Sequence, residues 1–411
     1  MAANIALVKN NAKFGAQLAR SLSAVGEGAQ VSSSSNGGSS SSAPVGRPVV
    51  IGGAVMDLVA GPETPGSAEA SSNNNGLTLH TSNPGSLAQS LGGVGRNVTE
   101  SLHRLDTCPL LFTAIGSDLL GKTLLTQSES LGLDTSRFFQ HEALGTAVYN
   151  AVVGSDGELH VAIFDGNVLD TLTPDTLQPH LEQLATAGML CWDGNVPEET
   201  VEFLLAIGKL HNIPTWFEPT SVFKALLLSD PAKLADLRYI SPNTLEAGAM
   251  LDDLTTRHPE ALNQAREKYG LDSVETCQTL LQPVPEACHG PALDALHLAA
   301  TGPTVILSLG PHGKVVVQHA AGGAEACPKL ELKYFGPQYG LEPTDPLNEP
   351  SIVNVTGAGD SGSGALISGL LRGLSMEEAV KGAIKASLLS LEAQHAISPE
   401  LNAQALGWEP L

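Results

Sequence analysis

The stretch Ile352-Val-Asn-Val-Thr-Gly-Ala-Gly-Asp-Ser-Gly-Ser-Gly-Ala-Leu-Ile-Ser-Gly-Leu-Leu371 decides how the rest of the chain is read. A short apolar strand is expected to turn through Gly357, Ala358 and Gly359 into an apolar helix whose first turn carries Asp360. Glycine lets a ligand approach the backbone, and the unpaired first amides of a helix point at one spot where they can hold negative charge. An aspartate beside such an anion hole is electrostatically awkward unless it does chemistry. It can take the proton from a hydroxyl as that oxygen attacks phosphorus. It can equally cap its own helix. The motif alone leaves both readings open.

A second glycine-rich start is Ser90-Leu-Gly-Gly-Val-Gly-Arg-Asn-Val-Thr-Glu-Ser-Leu-His-Arg-Leu105. Val98, Leu102 and Leu105 recur at helical spacing, so a helix is expected from near Asn97. The glycines before it then make room for a ligand, and the first amides are free to bind oxygen atoms. A tight turn between two elements is the plainer explanation of an isolated Gly-Gly-x-Gly.

Composition narrows the classes. The 411 residues include 21 basic and 43 acidic ones, a net charge of −22, which leaves no basic field to neutralise nucleic acid or an anionic membrane. A nucleotide needs only a local anion site and stays admissible. Cys108, Cys191, Cys277, Cys288 and Cys327 are scattered with no CxxC pair, a reduced pattern with neither a zinc site nor a disulfide framework. No apolar run reaches the roughly 20 residues of a membrane helix.

Along the chain, Pro48–Asp57 reads as one apolar strand ending at a carboxylate. Further strand-like runs are Leu110–Ile115, Met189–Trp192, Pro214–Phe217, Leu237–Ile240 and Val305–Leu309, with helical patterns such as Glu198–His211 and Val222–Leu228 between them. Such alternation implies a mainly parallel sheet covered on both faces, an α/β fold. Gly145–Val153 and Glu158–Phe164 alternate instead and flank Gly154-Ser-Asp-Gly157, a hairpin suited to a lid. Residues 253–300 and 320–348 lack clean periodicity and read as surface excursions.

Asp57, the Gly92–Asn97 start and the Val355–Asp360 start occur together, without a GxxxxGK[ST] phosphate loop. In that combination the sequence resembles the PfkB, or ribokinase-like, family of sugar and nucleoside kinases, from about Val49 to Leu401. The resemblance implies a three-layer ribokinase-like domain over 48–403, with a mainly parallel central sheet and a small β lid from about 57–82 and 145–165. It implies ATP-dependent phosphorylation of a hydroxymethyl group, with Asp360 as the base and Gly357, Ala358 and Gly359 as the anion hole. Asp57, Gly92, Gly93 and Asn97 match the sugar-binding positions, and Asp193 is read as a substrate or magnesium contact, or else a turn residue. Asn243, Ser308, Gly310, Gly313 and Thr356 fall on the ATP side, with Glu246 organising Mg2+; Asn243 and Glu246 can also simply cap a helix. Asn354 stands where many relatives carry aspartate near a monovalent cation, which leaves a K+ site open. Arg96 is read as facing solvent, pairing with an acid or touching substrate.

Within the family, Gly-Gly-Val-Gly-Arg-Asn97 looks most like pseudouridine kinases. The expected reaction is phosphorylation of the pseudouridine 5′-hydroxyl. Alternatives are another family kinase acting on ribose, adenosine or a ketose, or a catalytically silent ligand-binding relative. Residues 1–25 resemble the C-terminal tail of pseudouridine-5′-phosphate glycosidase, with 26–47 as a Ser/Gly linker; the alternative is a transit peptide. The expected partners are a nucleoside or sugar and ATP, with no nucleic acid and no membrane; a homodimer is left open. A cytoplasmic location is expected, or a mitochondrial one if the front segment is a transit peptide.

Overall fold

The protein is described by a computed structural model over residues 46–62, 77–155, 159–320, 329–337 and 352–410; the expectations for residues 1–25 and for the linker to residue 45 lie outside them. Numbered along the chain, a large sheet takes β1 (Pro48–Ile51), β4 (Leu110–Gly116), β5 (Phe138–His141), β8 (Met189–Asp193), β9 (Thr215–Glu218), β10 (Tyr239–Ile240), β11 (Thr304–Ser308), β12 (Lys314–His319) and β13 (Leu330–Phe335). Its order is β13-β12-β11-β10-β9-β8-β1-β4-β5. All pairings from β11 to β5 are parallel, and β12 and β13 add an antiparallel edge. The residues of β1, β4, β8 and β9 are buried throughout, as unbroken apolar strands covered on both faces must be.

The longer helices are α1 (Val94–Arg104), α2 (Leu119–Ser130), α3 (Glu198–His211), α4 (Thr244–Arg257), α5 (Pro259–Lys268), α6 (Val274–Leu281), α7 (His289–Ala300), α8 (Ala358–Leu371) and α9 (Met376–Leu391). One core cluster joins Val50, Leu111, Cys191, Trp216 and Ile306 from alternate strand positions to Val98 and Leu102 of α1, Ala365 and Leu366 of α8, and Ala383 of α9. The sheet lies between helical layers, as the ribokinase-like expectation required. From β1 the chain winds to β4 and β5 on one side, and later from β8 to β11 on the other. The switch point falls between β1 and β8, and the crevice beyond the carboxyl ends of such strands is where α/β sheets bind ligands.

A separate four-stranded sheet, in order β3-β2-β6-β7, consists of β2 (Val55–Pro62), β3 (Gly85–Gly92), β6 (Val148–Val153) and β7 (Leu159–Asp165). Pro48–Asp57 is therefore two strands in two sheets, broken at Gly52-Gly53-Ala54, with Asp57 inside the second. The small sheet also uses 85–92, which the sequence reading left out of the 57–82 lid segment. Residues 63–76 and 156–158 lie outside the described residues.

Other boundaries move as well. Residues 46 and 47 belong to the body, because the Arg47 guanidinium donates to Pro109 O at 2.7 Å and to Asp134 at 3.0 Å. At the far end, Trp408 packs on Gly369 and Gly382, beyond the expected limit at 403. Residues 253–300 are mainly helical rather than a surface excursion: Leu262, Leu281, Ala292, Ala295 and Leu296 are buried. Leu330–Phe335, within the other supposed excursion, is the edge strand β13.

Candidate active site

Three segments meet at the switch point: the Gly52–Ala54 turn leaving β1, the start of α1, and the end of β8. Asp193, 1% exposed, ties them together. Its Oδ2 accepts the Gly53 N–H at 2.9 Å and the Gly95 N–H at 2.8 Å, and its Oδ1 accepts the Asn195 N–H at 2.8 Å. These three bonds fix the Asp193 carboxylate where the segments meet, and the one from Asn195, two residues on, fits the turn reading left open for it.

The glycines of α1 serve the same docking. Gly93 has φ 90°, and a Cβ there would strike Gly53 O; a Cβ on Gly95 would lie 2.9 Å from Gly52 backbone atoms. At Gly92 it would displace the Asp57 carboxylate. The glycines make room for protein backbone and for Asp57, not directly for a ligand ring. The helix begins at Val94, earlier than expected, and its amides are used: Gly95 N–H by Asp193, Arg96 N–H by Gly53 O at 3.0 Å, Asn97 N–H by Gly93 O at 2.8 Å. Polar groups reach the crevice here through side chains instead.

Those side chains form a relay. Arg96 is 1% exposed and pairs with Glu100 at 2.7 Å, while Arg104 holds the other Glu100 oxygen at 2.7 Å. Arg96 also donates to Asn97 Oδ1, and Asn97 Nδ2 donates to Asp360 Oδ2 at 2.7 Å. The sequence motifs of the front and the back of the chain thus touch across 263 residues. Arg96 pairs with an acid, one of the readings left open for it, and the i, i+4 spacing of Arg96, Glu100 and Arg104 was the signal that favoured it. Burial raises the Asp360 carboxyl to about 6 against the Asn97 hydrogen bond, with the charges of Asp193 and Asp57 adding and Arg96 opposing. Burial likewise lifts Asp57 to about 6 against the pull of Arg96.

Gly357 caps α8 with φ 79°, where a side chain would strike Ala396 O. Among the described residues no protein acceptor meets the amides of Ala358, Gly359 and Asp360, and the space beside Gly359 is open. The segment before them is not the expected strand: Ile352, Val353 and Val355 are exposed. Asn354 Oδ1 accepts the Thr356 N–H at 2.9 Å, which engages the oxygen read as a cation ligand.

On the far side of α8, Asn243 and Glu246 close a capping box on α4, each side chain accepting the other's backbone N–H at 2.9 Å. Asn243 bridges to Ser308, whose Oγ accepts from Lys314 Nζ at 2.7 Å. Gly313, φ 89°, turns β11 into β12 where a Cβ would strike Phe335 O, whereas Gly310 faces open space. Sequence reasoning missed two buried groups here, Glu218 and Lys314. Burial pushes the Glu218 carboxyl up to about 8 against hydrogen bonds from Ser363 and Trp216, and burial brings the Lys314 ammonium down to about 8 against the attraction of Glu218. Ser363 is in α8 and lies 3.2 Å from Ser241, so this cluster sits under the helix that presents Asp360.

A mainly parallel α/β sheet with a crevice at its switch point and a separate small β sheet beside it make a ribokinase-like fold. The profile described as "pfkB family carbohydrate kinase" matches residues 49–274 and 288–403. The chain belongs to this family, and it is a phosphotransferase acting on a sugar hydroxyl. It is 25% identical over 356 residues to a pseudouridine kinase of Escherichia coli (strain K12), covering 86% of this chain and 93% of that one. A pseudouridine kinase of Arabidopsis thaliana is 24% identical over 388 residues, again covering 86% and 93%. The fold matches that of Arabidopsis thaliana ribokinase complexed with ribose and ATP, with a TM-score of 0.62, 16% identity, and 89% and 100% of the two chains covered. No helix among the described residues is long and apolar enough to cross a membrane.

Proposed function

We propose that this chain is an ATP-dependent kinase that phosphorylates the 5′-hydroxyl of pseudouridine. The observation that carries the reading is the 2.7 Å hydrogen bond from Asn97 to Asp360, which joins the sugar-side helix start to the base. The pseudouridine kinases of two organisms, each matched over 86% of this chain, support the substrate.

In this mechanism Asp57 accepts a hydrogen bond from a ribose hydroxyl, at the start that Gly92 and Gly93 shape. Asp360 takes the 5′-hydroxyl proton as the oxygen attacks the γ-phosphorus; the bond to the bridging oxygen breaks and ADP leaves. The amides of Ala358, Gly359 and Asp360 stabilise charge on the transferred group. The Asn243, Ser308, Gly310, Gly313 and Thr356 region lies to the nucleotide side. Glu246 and Glu218, two neighbouring buried carboxyls, would hold a magnesium ion in their ionised forms. Bound there, the ion supplies charge neutralisation for the nucleotide phosphates. The small sheet, bearing Asp57, closes over the sugar as a lid.

The test is a panel of pseudouridine, uridine, adenosine, ribose and fructose with ATP and magnesium. Highest kcat/KM on pseudouridine is the expected result. Preference for a free sugar moves the chain to another branch of the family; nucleoside binding without phosphoryl transfer makes it a silent relative.

A further inference from the structure

The small sheet carries more on its crevice face than Asp57. Cross-strand partners project to the same side of a sheet. The register sets Ser90 opposite Asp57, Asp57 level with Tyr149, and Tyr149 opposite Phe164. Four side chains on four strands therefore form one row, with Phe164 two strands, about 10 Å, from Asp57. The neighbouring row of Leu91, Met56 and Val148 takes the opposite face and packs on the core.

Phe164 meets the body of the protein at a cation. Lys224 Nζ, from the one-turn helix Val222–Ala225, lies 4.1 Å from the ring centroid and donates to Asn195 Oδ1. Asn195 is two residues past Asp193, and its Nδ2 would be 2.9 Å from a Cβ on Gly53, so the pair adjoins the turn that shapes the sugar side. Phe164, Lys224 and Asn195, with Asn167 and Asp170, line a cavity of about 420 Å³. That volume lies in the range of small-molecule sites, roughly 300–1,000 Å³. Phosphoryl transfer uses none of them.

We propose that Phe164, Lys224 and Asn195 form the base-selecting end of the nucleoside site, and that they take a pyrimidine-dione ring. The proposal rests on the reading that Asp57 holds the ribose. Two strand spacings, about 10 Å, also reach from a hydroxyl held at Asp57 across a ribose to its attached base. The aromatic row beyond Asp57 then offers a flat ring a stacking face. An ammonium donates only, so it selects a ring carbonyl oxygen; the Asn195 amide both donates and accepts, and so matches an imide edge of alternating C=O and N–H. The amino group of adenine presents a donor to Lys224 and is rejected. Burial lowers the Lys224 ammonium below its usual value, with the charges of Asp193 and Asp170 opposing.

The experiment measures steady-state kinetics with pseudouridine and ATP, inhibition by D-ribose as a probe lacking the base, and thermal midpoints, for wild type, Lys224→Met and Phe164→Ala. Lys224→Met is expected to raise KM for pseudouridine about 10- to 100-fold, the scale of one charged hydrogen bond, with the ribose inhibition constant, KM for ATP and midpoint unmoved. Phe164→Ala, at an exposed ring, should raise the same KM by a smaller factor and narrow the preference for pseudouridine over adenosine. Unchanged KM for pseudouridine in both variants overturns the base site while leaving the kinase reading intact. A loss shared equally by ribose inhibition overturns it too, because Lys224 would then only shape the sugar side. A wild-type protein that phosphorylates sugars but no nucleoside overturns the substrate reading and the base site together.

Discussion

Asn97 is an amide with two unlike ends, and only its N–H end can serve a carboxylate. Arg96 donates into Oδ1 and so fixes which end faces Asp360. Burial raises the carboxyl of Asp360, the proposed base; the Asn97 hydrogen bond and the Arg96 charge favour its ionised form, and the charges of Asp193 and Asp57 oppose it. Two expectations follow from this balance. Asp360→Asn keeps the shape and removes the base, so kcat should fall on the order of 10²–10⁴-fold while nucleoside binding, read by calorimetry, persists. Turnover near wild type would remove Asp360 from the chemistry. In the intact protein the base must be unprotonated, so kcat/KM should fall as pH drops through about 6. Arg96→Met should move that acid limb to higher pH, since it removes an opposing charge and frees the amide to turn; Arg104 remains to hold Glu100. An unmoved limb would show that Arg96 serves folding alone. The helix start that carries Asp360 was legible in the sequence because Gly-Ala-Gly-Asp is local. The role of Asp193 in docking α1 onto β1 was not legible, because its partners Gly53 and Gly95 lie 140 and 98 residues away.

The two glycine-rich helix starts look alike in sequence and differ in what surrounds them. At α1 the space a side chain needs is filled by the Gly52–Gly53 backbone and Asp57; at α8 the side of Gly359 is open. Gly93→Ala should therefore cost stability, at least about 1–2 kcal/mol from its left-handed φ alone, measured by urea unfolding. Gly359→Ala should leave stability within about 1 kcal/mol of wild type, since alanine is the better helix former, yet lower kcat by crowding the anion hole. The reverse pattern would mean that α1, not α8, presents its amides to the phosphoryl group. Sequence periodicity located α3 to the residue, because Glu198–His211 has an unbroken apolar stripe between clear ends. It missed β3 because the alternating strand Gly85–Gly92 is mostly exposed and rich in Ser, Ala and Gln, and it missed α5 to α7 because helices joined by Pro and Gly break the period.

At the scale of the whole molecule, the alternation of strands and helices disclosed the class of sheet, but not that the chain starts in its middle and winds outward twice. That winding gathers Asp57, Glu218, Glu246, Lys314 and Asp360 at one end of the sheet, and their burial gives the fold a pH dependence. A carboxyl raised in the folded state binds its proton more tightly there than when unfolded, so stability is lost as pH rises through the folded value. Asp57 and Asp360 act this way from about 4 to about 6, but His297, which burial lowers to about 4, opposes them up to its unfolded value of 6.5. Lys314, lowered to about 8, adds stability only as pH rises from there toward 10.5. Between about 6.5 and 8, Glu218, raised to about 8, acts downward. Ligand-free protein should lose roughly 1–2 kcal/mol of unfolding free energy across that interval, near one proton's worth. Glu218→Gln, which keeps an acceptor for Trp216, should flatten the slope and raise the thermal midpoint at pH 8 relative to wild type while changing little at pH 5. A slope that persists in the Gln variant would assign the titration to another group. A midpoint lowered at both pH values would mean that Glu218 holds the fold as the charged partner of Lys314.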